Sequence, residues 1–222
     1  MRAVAEFVMR GRSQAIGVSV VSAALPFLQW LSTSTVSLVV LRHGIAEGAM
    51  VLMWACLPMF GMYFLLGDIT PVIMLFGTVA MAHTLRVTVS WEMTLVAMVV
   101  AAGIGILLFE FVSSGVVDEV VNAYRDFMLD LQSRAETPEQ AKALVVPTFE
   151  IARSLLLGYF AMGYAISMLL FLLLARWWQS LLYNPGGFQQ EFHGIRLSPI
   201  VAFGLVMTVL GCFSIEEMNR WV

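Results

Sequence analysis

The chain has 222 residues, of which 60% are hydrophobic and 12% are charged, and its mean hydropathy is +0.87. These values lie outside the range of soluble domains and are typical of polytopic membrane proteins, so the lipid bilayer is the expected partner. The net charge of −3 and the lack of a basic tract exclude nucleic acid as a partner, because that role needs clustered Lys and Arg to neutralise phosphates.

Residues 1–14 contain charges but no short apolar core followed by a small-residue cleavage site, so we do not expect a removable signal peptide. The window that follows, residues 13–41, is uncharged, and Pro26 interrupts it near the middle. It is too long for one straight helix through ~30 Å of hydrocarbon and too short for two full crossings. It forms either one crossing with an irregular piece or two short helices that lean on their neighbours.

The rest of the chain contains further uncharged windows, and ~18 residues are enough to cross the hydrocarbon as a helix. These windows must be helical, because backbone polar groups find no water to bond inside lipid. Three windows are long enough and two are slightly short: 48–67, 154–175 and 197–215, and then 69–85 and 93–109.

The positive-inside rule chooses between one crossing and two in residues 13–41. The count over all Lys and Arg does not distinguish one crossing from two. We therefore give more weight to the short connections, because long loops and domains cross the membrane largely regardless of their charge. One crossing divides the arginines of these connections and tails equally between the two sides. Two crossings leave Arg220 alone outside and put the others in the cytoplasm: Arg2, Arg10, Arg12, Arg42, Arg86, Arg176 and Arg196. We therefore predict an all-α polytopic transmembrane bundle of about seven helices with a cytoplasmic N-terminus.

Small residues recur along the first predicted membrane helix. Ala15, Ser19 and Ala23 stand at four-residue steps, a spacing that permits close approach of another helix. This face serves either tight packing within the chain or docking of a separate membrane subunit.

A long extracytoplasmic segment, residues 113–149, separates the fifth and sixth predicted helices. Its apolar residues follow the three- and four-residue steps of an amphipathic helix, and Thr137 with Pro138 and Gln140 signals a second short helix. The segment either lies on the outer bilayer surface or folds over the bundle as a lid. The apolar residues are Val116, Val117, Val120, Val121, Tyr124, Phe127, Met128 and Leu131.

Ionisable residues at membrane depth are costly and are candidates for function, although residues at helix ends also reach water simply by extending their side chains. Those at the outer ends of the predicted helices, with two residues that follow Pro26, can line a ligand pocket. This candidate site consists of Gln29, Trp30, Asp68, Glu110, Glu150 and Arg153. Glu150 and Arg153 are three residues apart and are expected to pair on one helix face.

A polar loop, residues 177–197, follows the sixth predicted helix. Aromatic residues around its turn are typical of the boundary between lipid and water, so we predict an interfacial connector, or alternatively a dock for a cytoplasmic protein. The turn itself is Asn184, Pro185, Gly186, Gly187 and Phe188.

The sequence shows no known catalytic, metal-binding or phosphate-binding motif. The sequence contains no Ser/His/Asp or Cys/His set, no HExxH pattern and no phosphate-binding glycine loop, so we expect no catalytic residues, no metal and no cofactor. Cys56 and Cys212 lie in apolar runs and are expected to be small buried hydrophobes. A membrane enzyme that uses Glu110 or Glu150 as acid or base is a weaker alternative, because no nucleophile is paired with either.

Several stretches together resemble the YybS-like bacterial membrane proteins, a family of unknown function: LLLARWWQSL at the end of the sixth helix, then GGFQQEFHGIRLSP, and the early pattern of a small-residue helix, Pro26, a second short helix and LRHGIAEGA. The resemblance implies a fold related to the substrate-binding S components of energy-coupling-factor vitamin transporters. It makes residues 1–176 a six-helix core, and the predicted seventh helix and tail, residues 198–222, are an addition to that core.

The same resemblance implies a function and a location. Ala15, Ser19 and Ala23 would contact a membrane coupling subunit, or the chain would form a homo-oligomer, and a small or lipid-like ligand would bind from the outer side. The expected location is the bacterial inner membrane. The competing interpretation is a structural or regulatory membrane protein that recruits partners through its loops without a ligand.

Overall fold

The computed structural model of the chain describes residues 2–134, 149–194 and 198–199. All regular structure within these ranges is helical, which confirms the all-α class. The helices are α1 (Arg2–Val8), α2 (Arg12–Ala23), a 3-10 turn (Pro26–Leu28), α3 (Gln29–His43), α4 (Ile45–Leu66), α5 (Thr70–Thr88), α6 (Trp91–Ser133), α7 (Phe149–Tyr183) and α8 (Gly187–His193).

Four of these helices are long and apolar enough to cross a bilayer, namely α4, α5, α6 and most of α7. They present many large apolar side chains on their outer surface, which lipid can cover. The chain is therefore described as a membrane-embedded helical protein. The predicted seventh helix in residues 198–222 lies almost entirely outside the described residues, so the predicted total of about seven helices stays a prediction.

Residues 13–41 form two helices rather than one. Pro26 begins the 3-10 turn that separates α2 from α3. The 12 residues of α2 and the 15 of α3 are ~18 Å and ~22 Å long, each shorter than the ~30 Å of hydrocarbon. Arg12 Nη2 lies 2.5 Å from Glu47 Oε1 at the start of α4, so α2 and α3 form an antiparallel hairpin. Gln29 and Trp30, expected in an irregular connection, are instead the first turn of α3.

The α3 helix is the centre of the bundle and packs against α2, α4, α5 and α7. Every residue from Ser32 to Leu41 is buried. Small side chains allow this close packing. A Cβ atom on Gly48 of α4 would lie 2.1 Å from Val40 Cγ2, and one on Gly77 of α5 would lie 2.4 Å from Met168 Cε.

Helix ends define the two ends of the bundle. We call the end that carries Arg42, Arg86 and Arg176 the arginine end, and the opposite end, with Glu110 and Asp118, the acidic end. At the arginine end Arg86 Nη1 donates hydrogen bonds to the carbonyl oxygens of Leu41 at 2.6 Å and Arg42 at 2.8 Å. These carbonyls end α3 and have no partner within the helix, so a cation there satisfies them and complements the helix dipole.

The α6 helix is bent at Ser113, whose φ of −120° and ψ of 27° are not helical. The apolar part before the bend crosses the membrane, and residues 114–133 form the predicted amphipathic helix as a direct continuation. Val117 and Val121 of this helix are buried, whereas Val116, Val120, Tyr124 and Phe127 are exposed. The second short helix predicted at Thr137 lies outside the described residues.

The α7 helix continues past Arg176 to Tyr183, so the predicted polar loop does not begin until Asn184. Ser180 Oγ donates to the carbonyl oxygen of Asn184 at 2.9 Å and accepts from the backbone N–H of Phe188 at 3.2 Å. Gly186 has a φ of +87°, which glycine adopts without steric cost. The turn is thereby fastened to the end of α7.

Candidate functional site

At the acidic end, one guanidinium joins two carboxylates from either side of the α6 bend. Arg153 Nη2 lies 3.3 Å from Glu110 Oε1, which precedes Ser113, and Arg153 Nη1 lies 3.5 Å from Asp118 Oδ1, which follows it. The Arg153 side chain is 25% exposed. We call Glu110, Asp118 and Arg153 the acidic-end cluster.

Helix geometry explains how these three side chains meet. Glu110 stands at the end of the apolar part of α6, and Arg153 lies in the second turn of α7, which packs along α6. The bend at Ser113 turns the following helix so that Val117, Asp118 and Val121 face the bundle. The site therefore depends on the bend as much as on the charges.

Three polar atoms in this part of the structure are buried and make no hydrogen bond: Arg153 Nε, Arg125 Nε and Asp118 Oδ1, the last of which makes the 3.5 Å ion pair with Arg153 Nη1. Arg125 follows Asp118 by two helical turns and lies on the same side of the helix. Buried polar groups are nearly always hydrogen-bonded, and each one left unpaired costs about 1–3 kcal/mol. The cluster thus offers both donors and an acceptor to an additional polar group.

An aromatic layer lies beneath the cluster on the membrane side. The ring centroids of Phe109 and Phe160 are 5.0 Å apart, and the Tyr164 ring meets Phe109 edge-on at 6.1 Å. Arg153, Phe160 and Tyr164 follow one face of α7 at seven- and four-residue steps. The Tyr164 hydroxyl lies 3.3 Å from Thr70 Oγ1 at the start of α5. A polar group at Arg153 therefore has aromatic surface close by.

The structure brings together only part of the predicted site. Glu110 and Arg153 are in contact, but Asp68 is exposed and accepts a hydrogen bond at 2.9 Å from the backbone N–H of Thr70, the first residue of α5. Trp30 Nε1 donates to the Phe27 carbonyl at 2.9 Å, and Gln29 is half-buried beside it; neither has a described contact with the cluster. The side chain of Glu150 lies outside the described residues, so its pairing with Arg153 stays a prediction.

Asp118 is the residue that sequence reasoning missed. It is not among the residues predicted to line the ligand pocket. The sequence does contain a signal for the bend, the run Ser113-Ser114-Gly115. Its low helix propensity favours a bend shortly before Asp118.

The small-residue face of α2 is turned inward. Ala15, Ser19 and Ala23 are all buried, and α2 packs against α3 and α4. Of the two roles predicted for this face, packing within the chain is the one these contacts provide. The open side of α2 carries Gly17 and Val21 instead.

The predicted interfacial loop is tied to the bundle at the arginine end. Arg176 forms a two-pronged ion pair with Glu191 of α8, in which Nε lies 3.0 Å from Oε2. Arg42 stands over the Tyr183 ring, 3.9 Å from its centroid. Trp178 is one of the aromatic residues around the turn that we predicted to lie at the boundary between lipid and water. That prediction is wrong for Trp178, which is fully buried because α7 continues inside the bundle at that point.

A cleft of about 680 Å³ also opens at the arginine end, and its lining includes Arg86, Glu92, Arg176 and Glu191. Its charged groups already have partners. Arg86 binds the end of α3, Arg176 binds Glu191, and Glu92 accepts a hydrogen bond from the Ser198 hydroxyl. The charges of the acidic-end cluster are paired as well, but both ion pairs are long and Arg153 Nε is buried without a hydrogen-bond partner. This cluster is therefore the better candidate for a ligand.

Within the described residues, no group of three His, Cys, Asp or Glu side chains is placed to hold a metal ion. Comparison of the chain with protein-family models, with curated proteins and with solved structures finds no match.

Proposed function

We propose that this chain is a non-enzymatic integral membrane protein that binds a small or lipid-like ligand at the acidic-end cluster. One observation carries the proposal: Arg153 holds two carboxylates across the bend while its own Nε and the Asp118 Oδ1 atom are buried without hydrogen bonds. A ligand with a polar group that both donates and accepts would satisfy these atoms. Its apolar part would meet the rings of Phe109 and Phe160.

The lengths of the ion pairs support binding over a purely structural role. Charge-assisted N–H···O bonds are typically about 2.7–2.9 Å long, whereas the two contacts of Arg153 are 3.3 Å and 3.5 Å. Neither carboxylate holds the guanidinium tightly, so a ligand can compete for it without breaking an optimal pair.

Binding rather than catalysis follows from the chemistry of the cluster. Two carboxylates and a guanidinium can orient and neutralise a polar group. Covalent catalysis would also need a nucleophile hydrogen-bonded to a base, and the described contacts of the cluster include none.

The proposed setting is the bacterial inner membrane, with the N-terminus and the arginine end in the cytoplasm. Support comes from the arginines gathered at that end, since cytoplasmic connections are enriched in Lys and Arg. The acidic end then faces outward, and the ligand enters from the outer side. In an S-component-like fold, translocation would further need a coupling subunit.

A second function has a specific observation in its favour. The helix beyond the bend exposes a strip formed by Val116, Val120, Tyr124 and Phe127, and exposed apolar strips of this kind bind partners. In this alternative the protein is structural or regulatory and recruits another protein without a ligand.

Purification from the membrane followed by mass spectrometry of the bound material separates the two functions. We expect the wild type to retain a small molecule or lipid, and Arg153→Ala to lose it while still inserting. Arg134→Ala is the matched control, since Arg134 is exposed and its ion pair within the described residues is with Asp130, four residues away. Equal retention by Arg153→Ala contradicts the proposal, and a stoichiometric protein partner without ligand supports the alternative.

A further inference from the structure

A groove of about 550 Å³ runs along the open side of α2. Its walls are mostly apolar and come from α1, α2 and the start of α3, including Phe7, Val18, Val21 and Leu31. The hydroxyl of Ser22, which also lines it, is already bonded to the Val18 carbonyl at 2.6 Å. The groove is therefore a surface for hydrocarbon along most of its length.

Both ends of the groove are bounded by side chains. Phe7 of α1 stands at the arginine end, and Leu28 of the 3-10 turn stands at the other. Because α2 is ~18 Å long, the groove spans little more than one leaflet of the ~30 Å hydrocarbon core, which is the depth that one acyl chain occupies. Space is present at Gly17, where no atom lies within 4 Å of an added Cβ.

The polar side of the groove lies at the arginine end, where Ser13 and Gln14 line it. The Arg10 guanidinium is 5.9 Å from the centroid of the Phe7 ring, so it sits beside the mouth. Arg12 is paired with Glu47, but Arg10 has no ion pair among the described residues. A guanidinium beside an apolar groove complements a phosphate with an attached hydrocarbon chain, because arginine binds phosphate oxygens with two parallel hydrogen bonds.

We infer that this groove binds one acyl chain of an anionic phospholipid, whose headgroup phosphate contacts Arg10. The site is distinct from the acidic-end cluster and lies at the opposite end of the bundle. Basic residues next to a membrane helix attract anionic headgroups, and the groove gives the attached chain a fixed position.

The test uses the full chain in vesicles of phosphatidylcholine and phosphatidylglycerol, with a trace of phosphatidylglycerol that carries a photoactivatable diazirine on its acyl chain. Irradiation and peptide mass spectrometry then locate the labelled residues. We expect stronger labelling at Val18, Val21 and Leu31 than at lipid-facing Leu57 and Phe64 of α4. Gly17→Leu should lower the groove labelling several-fold, because Gly17 lines the groove and open space surrounds the position of an added Cβ.

Gly61→Leu is the matched control, since Gly61 is exposed on α4 and also has open space around it. It should leave the groove labelling unchanged. Val21→Trp is a second, independent way to fill the groove, and Arg10→Gln should remove the preference for phosphatidylglycerol over a phosphatidylcholine probe. Equal labelling of the groove and of α4, or groove labelling that neither Gly17→Leu nor Val21→Trp reduces, overturns the inference.

Discussion

Arg153 of α7 lies 3.5 Å from Asp118, a residue that reaches it only because α6 bends at Ser113. The same guanidinium contacts Glu110 on the other side of the bend. One cation therefore contacts α6 on both sides of its bend. The proposed binding site therefore depends on the bend in α6.

The first prediction concerns this link. Asp118→Asn removes the charge on the far side of the bend and should weaken the attachment of residues 114–133 by about 1 kcal/mol, the size of a partly exposed ion pair. Local opening should then become about fivefold more frequent. Hydrogen–deuterium exchange of peptides from residues 114–133 measures the frequency of this opening. Asp126→Asn, at an exposed position of the same helix, should leave exchange unchanged, and identical exchange in both variants would count against the link.

The second prediction concerns the central packing. Gly48→Ala should destabilise the bundle by about 1–3 kcal/mol, because the new methyl group overlaps Val40 Cγ2. The temperature at which half of the detergent-solubilised protein stays monodisperse should fall. Adding Val40→Ala should restore part of the loss by making room. Gly61→Ala meets no atom and should not lower that temperature; an equal fall in both glycine variants would refute the close approach of α3 and α4.

The third prediction concerns the arginine end. Arg176→Glu should place two like charges together and release α8 from α7, so that the segment after Asn184 becomes sensitive to protease. The charge exchange Arg176→Glu with Glu191→Arg should restore resistance, since it reverses the pair without removing it. Limited proteolysis in detergent measures both. If the double variant is cut as fast as the single one, the ion pair does not hold α8.

Much of the fold could be predicted because lipid imposes a simple rule. Charges bound the windows that became α4, α5, α7 and the membrane part of α6, and Pro26 marked the division of α2 from α3. The positive-inside count also favours two helices in residues 13–41, and the structure has two there, α2 and α3. These features depend on the local sequence and on the surrounding lipid. They can be predicted without knowing which helices pack against each other.

The parts that could not be predicted depend on which face of a helix meets another. Residues 32–37, rich in Ser and Thr, are fully buried because α3 is surrounded on all sides, a fact that no periodicity within α3 indicates. Trp178 is buried for the same reason. Two residues of the acidic-end cluster, Glu110 and Arg153, could be predicted from charges at helix ends. Asp118 could not, because its place in the cluster depends on the bend in α6. Asp68 shows that a charged residue at a helix end need not belong to a site: its side chain accepts a hydrogen bond from the first backbone N–H of the next helix.

The orientation of the bundle is tested most directly by single-cysteine labelling. With Cys56 and Cys212 replaced by Ser, one variant carries Asp126→Cys near the acidic-end cluster and another carries Val87→Cys at the arginine end, both at exposed positions. Intact cells are treated with a membrane-impermeant maleimide. If α2 and α3 each cross the membrane, position 126 is modified and position 87 is protected until the cells are opened. Modification of position 87 in intact cells, with position 126 protected, would place the cluster in the cytoplasm and contradict binding from the outer side.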